Sequence, residues 1–127
     1  MCPVRMSRLE SAVRIALELF DAINRQDVAG ALLLLSVDCR FEEPGPVPGG
    51  TCLEGKDSIA HYLQEFFLHE PRAHFEVEEV LGAGMRCVLR WRSAWTGADG
   101  KPHQQRGVDV FRVKEGLICE RLSYVKC

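Results

Sequence analysis

The sequence predicts an α+β domain in which three N-terminal helices pack on one face of a curved antiparallel sheet. In the first half of the chain apolar residues recur at helical spacing, and in the second half they alternate with polar residues at the period of a strand. Helices followed by strands are typical of folds whose helices cover one face of an antiparallel sheet. The length of 127 residues is typical of one domain, 1–127.

The first residues of the three predicted helices carry capping signals. Ser7 and Glu10 fit a capping box, in which each side chain satisfies a backbone N–H left free at a helix start. The apolar stripe of this helix is Leu9, Val13, Ala16, Phe20 and Ile23. Asp27 is placed to cap a short second helix through Leu35, and Asp57 to cap a third.

The predicted strands are bounded by turns rich in proline and glycine. Residues 39–42 predict a brief strand, and the prolines and glycines at 44–50 predict the loop that follows it. Four longer strands form the meander, with turns at residues 82–84, 97–101 and 114–116. The last two strands are expected at roughly 103–113 and 117–125.

Composition and charge exclude several classes of function. Sixteen basic against eighteen acidic residues give a net charge of -2, so we expect no nucleic-acid partner, which would need a basic stripe. No apolar run approaches the roughly 20 residues that span a bilayer, and the start "MCPVRMSRLE" lacks the apolar core of a secretion signal. We therefore expect a cytoplasmic protein without a membrane partner. The six cysteines occur singly, which predicts no disulfide framework and no metal site. We expect no cofactor.

Glu43 is the first candidate for chemistry. If the predicted strand continues through it, Glu43 points to the same side as Phe41, which we expect to face the core. Pro44 directly after it restricts the backbone and reduces the entropy lost in holding that direction. The alternatives are a solvated loop carboxylate or one that pairs with an arginine.

Asp109 is the second candidate, because it lies in mid-strand between Val108 and Val110. A carboxylate there is unfavourable unless it is paired or protonated. The apolar neighbours indicate that both faces of this strand are covered, one by a pocket and the other by a second copy of the chain. The alternative is an ion pair, for which the candidates are Arg86, Arg90, Arg92 and Arg106.

The order of elements and four segments resemble one known superfamily. The segments are "ALELFDAINRQDVAGALLLL", "RFEEPG", "LEGKDSIAHYL" and "GVDVFRVKEGLICE". Together they resemble the nuclear transport factor 2-like fold, which is shared by ketosteroid isomerases and SnoaL-like polyketide cyclases. The resemblance implies a cone-shaped fold whose sheet wraps around the first helix and encloses an apolar pocket. Because fold alone does not give function, the branches must be separated by their site residues.

Ketosteroid isomerases match this chain at two points. Their general-base aspartate precedes a proline after the first strand, where this chain has Glu43, and their oxyanion-donating aspartic acid lies in a strand motif that "VDVF" matches at Asp109. Their helix-1 tyrosine falls at Leu19 in this sequence. Tyr124 is a candidate substitute for that donor. Arg92 matches the arginine of limonene epoxide hydrolase, but the aspartates of that enzyme are absent here.

The resemblance implies a protein that binds a small apolar carbonyl compound and acts as an isomerase or cyclase by proton transfer. Glu43 would be the base, and Asp109, as a neutral acid, would donate to the enolate oxygen. The alternative is a non-catalytic, dimeric small-molecule-binding module, which Leu19 favours. Either form is expected to be a homodimer through the sheet. The expected substrate-binding residues are Leu19, Phe20, Phe41, Leu63, Phe67, Trp91, Phe111 and Tyr124, although for Trp91 a place in the core is the favoured alternative.

Overall fold

The structure is a computed structural model that describes residues 8–45 and 50–126. Its three helices are α1 (Arg8–Asn24), α2 (Val28–Leu32) and α3 (Lys56–His69). Its six strands are β1 (Leu35–Glu43), β2 (Thr51–Glu54), β3 (His74–Ala83), β4 (Arg86–Thr96), β5 (Pro102–Lys114) and β6 (Leu117–Val125). The predicted α+β class and its helices-on-sheet arrangement are confirmed.

The strands form one sheet in the order β2-β1-β6-β5-β4-β3. Four of its five strand pairs are antiparallel, but β1 runs parallel to β6. The predicted antiparallel sheet is thus confirmed, and the parallel β1–β6 pair is an addition that was not predicted. The parallel pair matters for the site because it brings the end of β1 beside the last strand of the chain.

The first predicted strand and the second helix have different bounds in the structure. Leu35 is fully buried and pairs with Ile118, while Ile118 N–H donates to the Leu34 carbonyl at 2.9 Å. This long-range pairing extends β1 back to Leu35 and ends α2 at Leu32, so the prediction of a helix through Leu35 was wrong. The short strand β2 was not predicted, because its residues are mostly exposed and show no alternation.

The capping predictions had different outcomes. The Asp27 carboxylate accepts from Gly30 N–H at 2.9 Å, so the predicted cap of α2 is confirmed. The third helix instead has Gly55 at its N-cap, with φ of 85°, a left-handed conformation that favours glycine. Asp57 lies in the first turn of α3. The capping box at Ser7 lies outside the described residues.

The core lies between α1 and the inner face of the sheet. Ala16, Leu19 and Phe20 of α1 are almost completely buried, and the Phe20 ring meets those of Phe75 and Phe111 edge to face. The Asn24 side chain exchanges two hydrogen bonds of 2.8 Å with the Phe75 backbone, which ties the end of α1 to β3. Among the described residues no helix is both long and apolar enough to cross a membrane.

Candidate functional site

A cavity of about 400 Å³ lies between α1, α3 and the inner face of the sheet. Its apolar lining comes from Phe20, Ile23, Leu63, Phe66, Phe75, Trp91 and Val125. Its polar lining comes from Glu43, Tyr62, Gln105, Arg121 and Ser123, and Pro44 and Gly45 complete the wall. A mostly apolar cavity with a few convergent polar groups is the usual form of a small-molecule site.

Arg121 on β6 organises the polar wall. Its Nε donates to Asp109 Oδ2 at 2.7 Å, and its Nη1 donates to Glu43 Oε1 at 2.6 Å. The rings of Phe20 and Phe41 lie 5.8 and 5.1 Å from the guanidinium carbon. Burial alone would lower the pKa of Arg121, but the two carboxylates outweigh burial and raise that pKa. The guanidinium therefore stays charged.

Asp109 is fully buried beneath this wall and is not among the residues that line the cavity. Besides Arg121, its carboxylate accepts from Trp91 Nε1 at 3.0 Å and from Ser123 Oγ at 2.7 Å. Three groups donate to it, and two of them, the Arg121 guanidinium and the Trp91 indole, can only donate, so Asp109 acts here as a hydrogen-bond acceptor. This arrangement contradicts the expected role of Asp109 as an acid that donates to a ligand. The alternative given in the sequence analysis, an ion pair of Asp109 with an arginine, is formed. Its partner is Arg121, which was not among the four candidate arginines.

Glu43 lies at the cavity wall with only 7% of its surface exposed. The end of β1 thus aims its side chain inward together with the fully buried Phe41, as strand parity predicted. Burial is the main cause that raises the pKa of Glu43, Arg121 opposes this rise and Asp109 adds to it. Glu43 is therefore a carboxylate of increased proton affinity that faces an apolar cavity.

Tyr62 on α3 provides a hydroxyl next to Glu43. Its phenol O–H donates to Glu43 Oε2 over 3.4 Å, which is long for an O–H···O bond. Burial, followed by the Glu43 charge, raises the pKa of Tyr62. The phenol thus stays protonated at neutral pH and keeps a proton to donate.

The expected substrate-binding residues fall into two groups. Phe20, Leu63 and Trp91 line the cavity, whereas Leu19, Phe41 and Phe111 are buried behind its wall and Phe67 is partly buried. Tyr124 is 57% exposed and pairs with Val108 on the outer face of the sheet. It therefore lies on the wrong face to replace the helix-1 tyrosine as a donor into the cavity.

Sequence reasoning missed Arg121, Ser123 and Tyr62. In β6 the apolar residues Leu122 and Tyr124 suggested that these positions face the core. The structure shows the opposite alternation, so Arg121 and Ser123 were not recognised as inward-facing. Tyr62 had a usable signal, because it lies three residues after Ile59 on the apolar stripe of its helix. Within the described ranges, no group of three His, Cys, Asp or Glu side chains is placed to hold a metal ion.

The chain belongs to the SnoaL-like domain family, whose model matches residues 16–121. This match covers α1 from its middle to β6 and includes Glu43, Tyr62, Asp109 and Arg121. No match is found among the curated proteins.

Solved structures agree with this family. An NTF2-like protein of unknown function from Mesorhizobium loti is 31% identical, with 98% of each chain covered and a TM-score of 0.80. A protein from Jannaschia sp. CCS1 that is named as a SnoaL-like polyketide cyclase is 17% identical, with 98% of this chain and 92% of that protein covered and a TM-score of 0.82. A protein from Kribbella flavida that is named as a ketosteroid isomerase is 20% identical, with 97% of this chain and 83% of that protein covered and a TM-score of 0.79. The last two comparisons show the shared fold alone.

Proposed function

We propose that the protein binds a small, largely apolar carbonyl compound in this cavity and moves a proton at the carbon next to the carbonyl. The observation that carries the proposal is the buried Glu43 carboxylate at the wall of an apolar cavity, 3.4 Å from the Tyr62 hydroxyl. A base and a hydrogen-bond donor side by side match the two needs of enolisation.

Glu43 is the proposed base. Its carboxylate takes the α-proton, the C–H electron pair moves into the carbonyl to form an enolate, and the Glu43 acid returns the proton to carbon. Return to the same carbon gives exchange, and return to another carbon of a conjugated enolate gives an isomer. Burial assists the first step because it increases the proton affinity of Glu43, while the charge of Arg121 opposes this increase and favours the ionised form.

Tyr62 is the proposed donor to the enolate oxygen, in place of Asp109. Its bond to Glu43 is long, so little is lost when the hydroxyl turns to a ligand oxygen. Its raised pKa keeps the proton on the phenol while it stabilises the developing charge. The Arg121 guanidinium, which also lines the cavity, offsets part of the negative charge of Glu43 at the same wall.

The charges of the wall favour a neutral ligand. Arg121 is the one cation bound to this cluster in the described part of the chain, and it is already paired with two carboxylates. An anionic ligand would have to approach Glu43 without a cation to compensate it. This balance favours ketones and related neutral carbonyl compounds over carboxylic acids.

The 2.6 Å bond between Arg121 and Glu43 favours a second candidate function. A carboxylate held this closely by an arginine could serve only to stabilise the wall, and the protein would then be a binding module without catalysis. The two candidates differ in one measurable property, the rate at which a bound ketone exchanges its α-protons.

The test is α-proton exchange followed by NMR in heavy water, on a panel of cyclic and polycyclic ketones. We expect exchange with the wild type, a loss of about 10²–10⁴-fold in Glu43→Gln and of about 10²–10³-fold in Tyr62→Phe. Glu42→Gln is the matched control, because it makes the same change at the half-exposed neighbour on the other side of β1. Ketones that bind without exchange, or exchange that Glu43→Gln leaves intact, would establish the binding module instead.

We also propose that the protein acts as a homodimer through the outer face of its sheet. Leu81, Val88, Val110 and Leu122 form one apolar row across four strands, and Leu81 is 61% exposed. A charged residue in this row, Val110→Lys, should convert a dimer into a folded monomer in light scattering. Leu33→Lys, at a site 77% exposed outside the sheet, is the control and should leave the dimer intact. A wild type that is monomeric in light scattering would refute this proposal. The cytoplasmic location of the protein stays a prediction.

A further inference from the structure

A second chamber of about 140 Å³ adjoins the cavity at the end away from Glu43. Phe66, Phe75 and Gln105 line both spaces. The remaining walls of the second chamber are Glu70, Ala73, Ser93 and Trp95. The chamber therefore extends the candidate site past the aromatic side chains of α3 and β3.

The strand register explains why polar groups meet in this chamber. Phe75 pairs with Ser93 across β3 and β4, and Ser93 pairs with Gln105 across β4 and β5. Directly opposite residues project to the same face with Cβ atoms about 5 Å apart, so this row presents a hydroxyl and an amide side by side. The next row toward Glu43 holds Trp91 and Gly107, where a side chain on residue 107 would meet the Trp91 ring.

Ser93 is the strongest sign that a ligand group belongs here. Its residue is only 4% exposed and lines the chamber, yet its hydroxyl has no hydrogen-bond partner among residues 8–45 and 50–126. Among the described residues no fully buried side-chain oxygen or nitrogen lacks a partner, so this hydroxyl is reached from the chamber, where water or a ligand group can supply its hydrogen bond. The amide of Gln105 is exposed and offers both a donor and an acceptor next to it.

The spacing of the two polar ends sets a length. Asp109 and Gln105 are four residues apart on β5, which corresponds to about 13 Å along a strand. Arg121 contacts both Glu43 and Asp109, so Glu43 lies at the Asp109 end of this span. Ser93 pairs directly with Gln105 and lies at the other end. A ligand with an apolar body in the aromatic cavity would therefore carry one oxygen at each of its two ends.

We propose that Ser93 and Gln105 form a distal subsite that binds a hydroxyl group at the far end of an elongated, neutral carbonyl ligand. The carboxylate of Glu70 at the chamber wall favours a hydroxyl, which can donate, over a second anionic group. This subsite rests on the proposed function for the identity of the carbonyl end. Its own claim concerns binding, and it can be tested without turnover.

The experiment compares the binding of 6-hydroxy-2-acetylnaphthalene and 2-acetylnaphthalene, a pair that differs only in a hydroxyl opposite the carbonyl. Affinities are measured by titration calorimetry on the wild type, Ser93→Ala, Gln105→Leu and Gln104→Leu. The last variant is the matched control, because residue 104 pairs with Ala94 on the outer face. We expect the hydroxyl to strengthen wild-type binding about three- to tenfold, as one hydrogen bond does, and Ser93→Ala and Gln105→Leu to remove this preference.

The outcomes separate this inference from the proposed function. A hydroxyl preference that depends on Ser93 and Gln105, without α-proton exchange, supports the subsite and refutes catalysis. Equal affinities of the wild type for the two probes, or a preference that the two variants leave unchanged, overturn the subsite whatever the exchange assay shows. Failure of both probes to bind at millimolar concentration overturns it as well, because the proposal specifies the length and ends of the ligand.

Discussion

Arginine–carboxylate pairs lie on both faces of this sheet, but in opposite environments. On the outer face Arg86 Nη1 and Glu120 Oε1 are 2.8 Å apart, with 48% and 27% of their side chains exposed. On the inner face Arg121 makes contacts of similar length to Glu43 and Asp109, and none of the three side chains is more than 7% exposed. The distances in the two places are alike, but the outer pair is surrounded by water and the inner cluster by the low-dielectric interior of the protein.

This difference in environment determines what each pair contributes. Water screens the outer pair and solvates either partner when it is alone, so the pair adds little. The inner charges have lost their water, and each depends on the others for compensation. A buried cluster of this kind is costly to maintain for stability alone, which agrees with a role of Glu43 at the cavity wall.

The largest effect is expected when the cation of the inner cluster is removed. Arg121→Met leaves the Glu43 and Asp109 carboxylates buried without their partner and should lower the free energy of unfolding by about 3–5 kcal/mol. Arg86→Met, the same change on the outer face, should lower it by less than about 1 kcal/mol. Urea denaturation of the two variants measures both values. Similar losses in the two variants would contradict the contrast between the faces.

A smaller effect should come from the charge of Asp109 at constant shape. In Asp109→Asn the amide nitrogen must face at least one of the donors Arg121, Trp91 or Ser123, where the carboxylate accepted from all three. We expect a loss of about 1–3 kcal/mol in urea denaturation. Ser123→Ala, which removes one donor and leaves the carboxylate, should cost less. If Asp109→Asn has the same free energy of unfolding as the wild type, the carboxylate is not the acceptor of these bonds.

Local patterns predicted the frame of the fold better than its charged cluster. The alternation in β4 placed Cys87, Leu89 and Trp91 on the buried face, and β6 has the predicted bounds of 117–125. In these strands the side-chain period of two leaves one solution when one face is apolar. The parity of Phe41 gave the direction of Glu43 in the same way.

The partners of Glu43 and Asp109 could not be predicted because they depend on long-range register. Arg121 meets Glu43 across 78 residues of sequence only because β1 and β6 pair in parallel. It meets Asp109 because the register of β5 and β6 sets Asp109 opposite Ser123 and thus places Arg121 one inward position away. No local pattern encodes such pairings.

The smallest of the expected stability effects is a change in slope with pH, and it isolates Glu43. Its pKa is raised in the folded state, so between the ordinary carboxyl pKa and the raised value the folded protein binds more protons than the unfolded chain. The contribution of Glu43 to stability is therefore fully present below the ordinary pKa and declines as pH rises through the raised one. Glu43→Gln lacks this decline, so its stability relative to wild type should improve with pH across that window.

Urea denaturation at a series of pH values measures the difference, with Glu42→Gln as the matched variant on the half-exposed side of β1. If the two variants show the same slope relative to wild type, the proton affinity of Glu43 is not raised by its place at the cavity wall, and the argument for Glu43 as the base loses its electrostatic support.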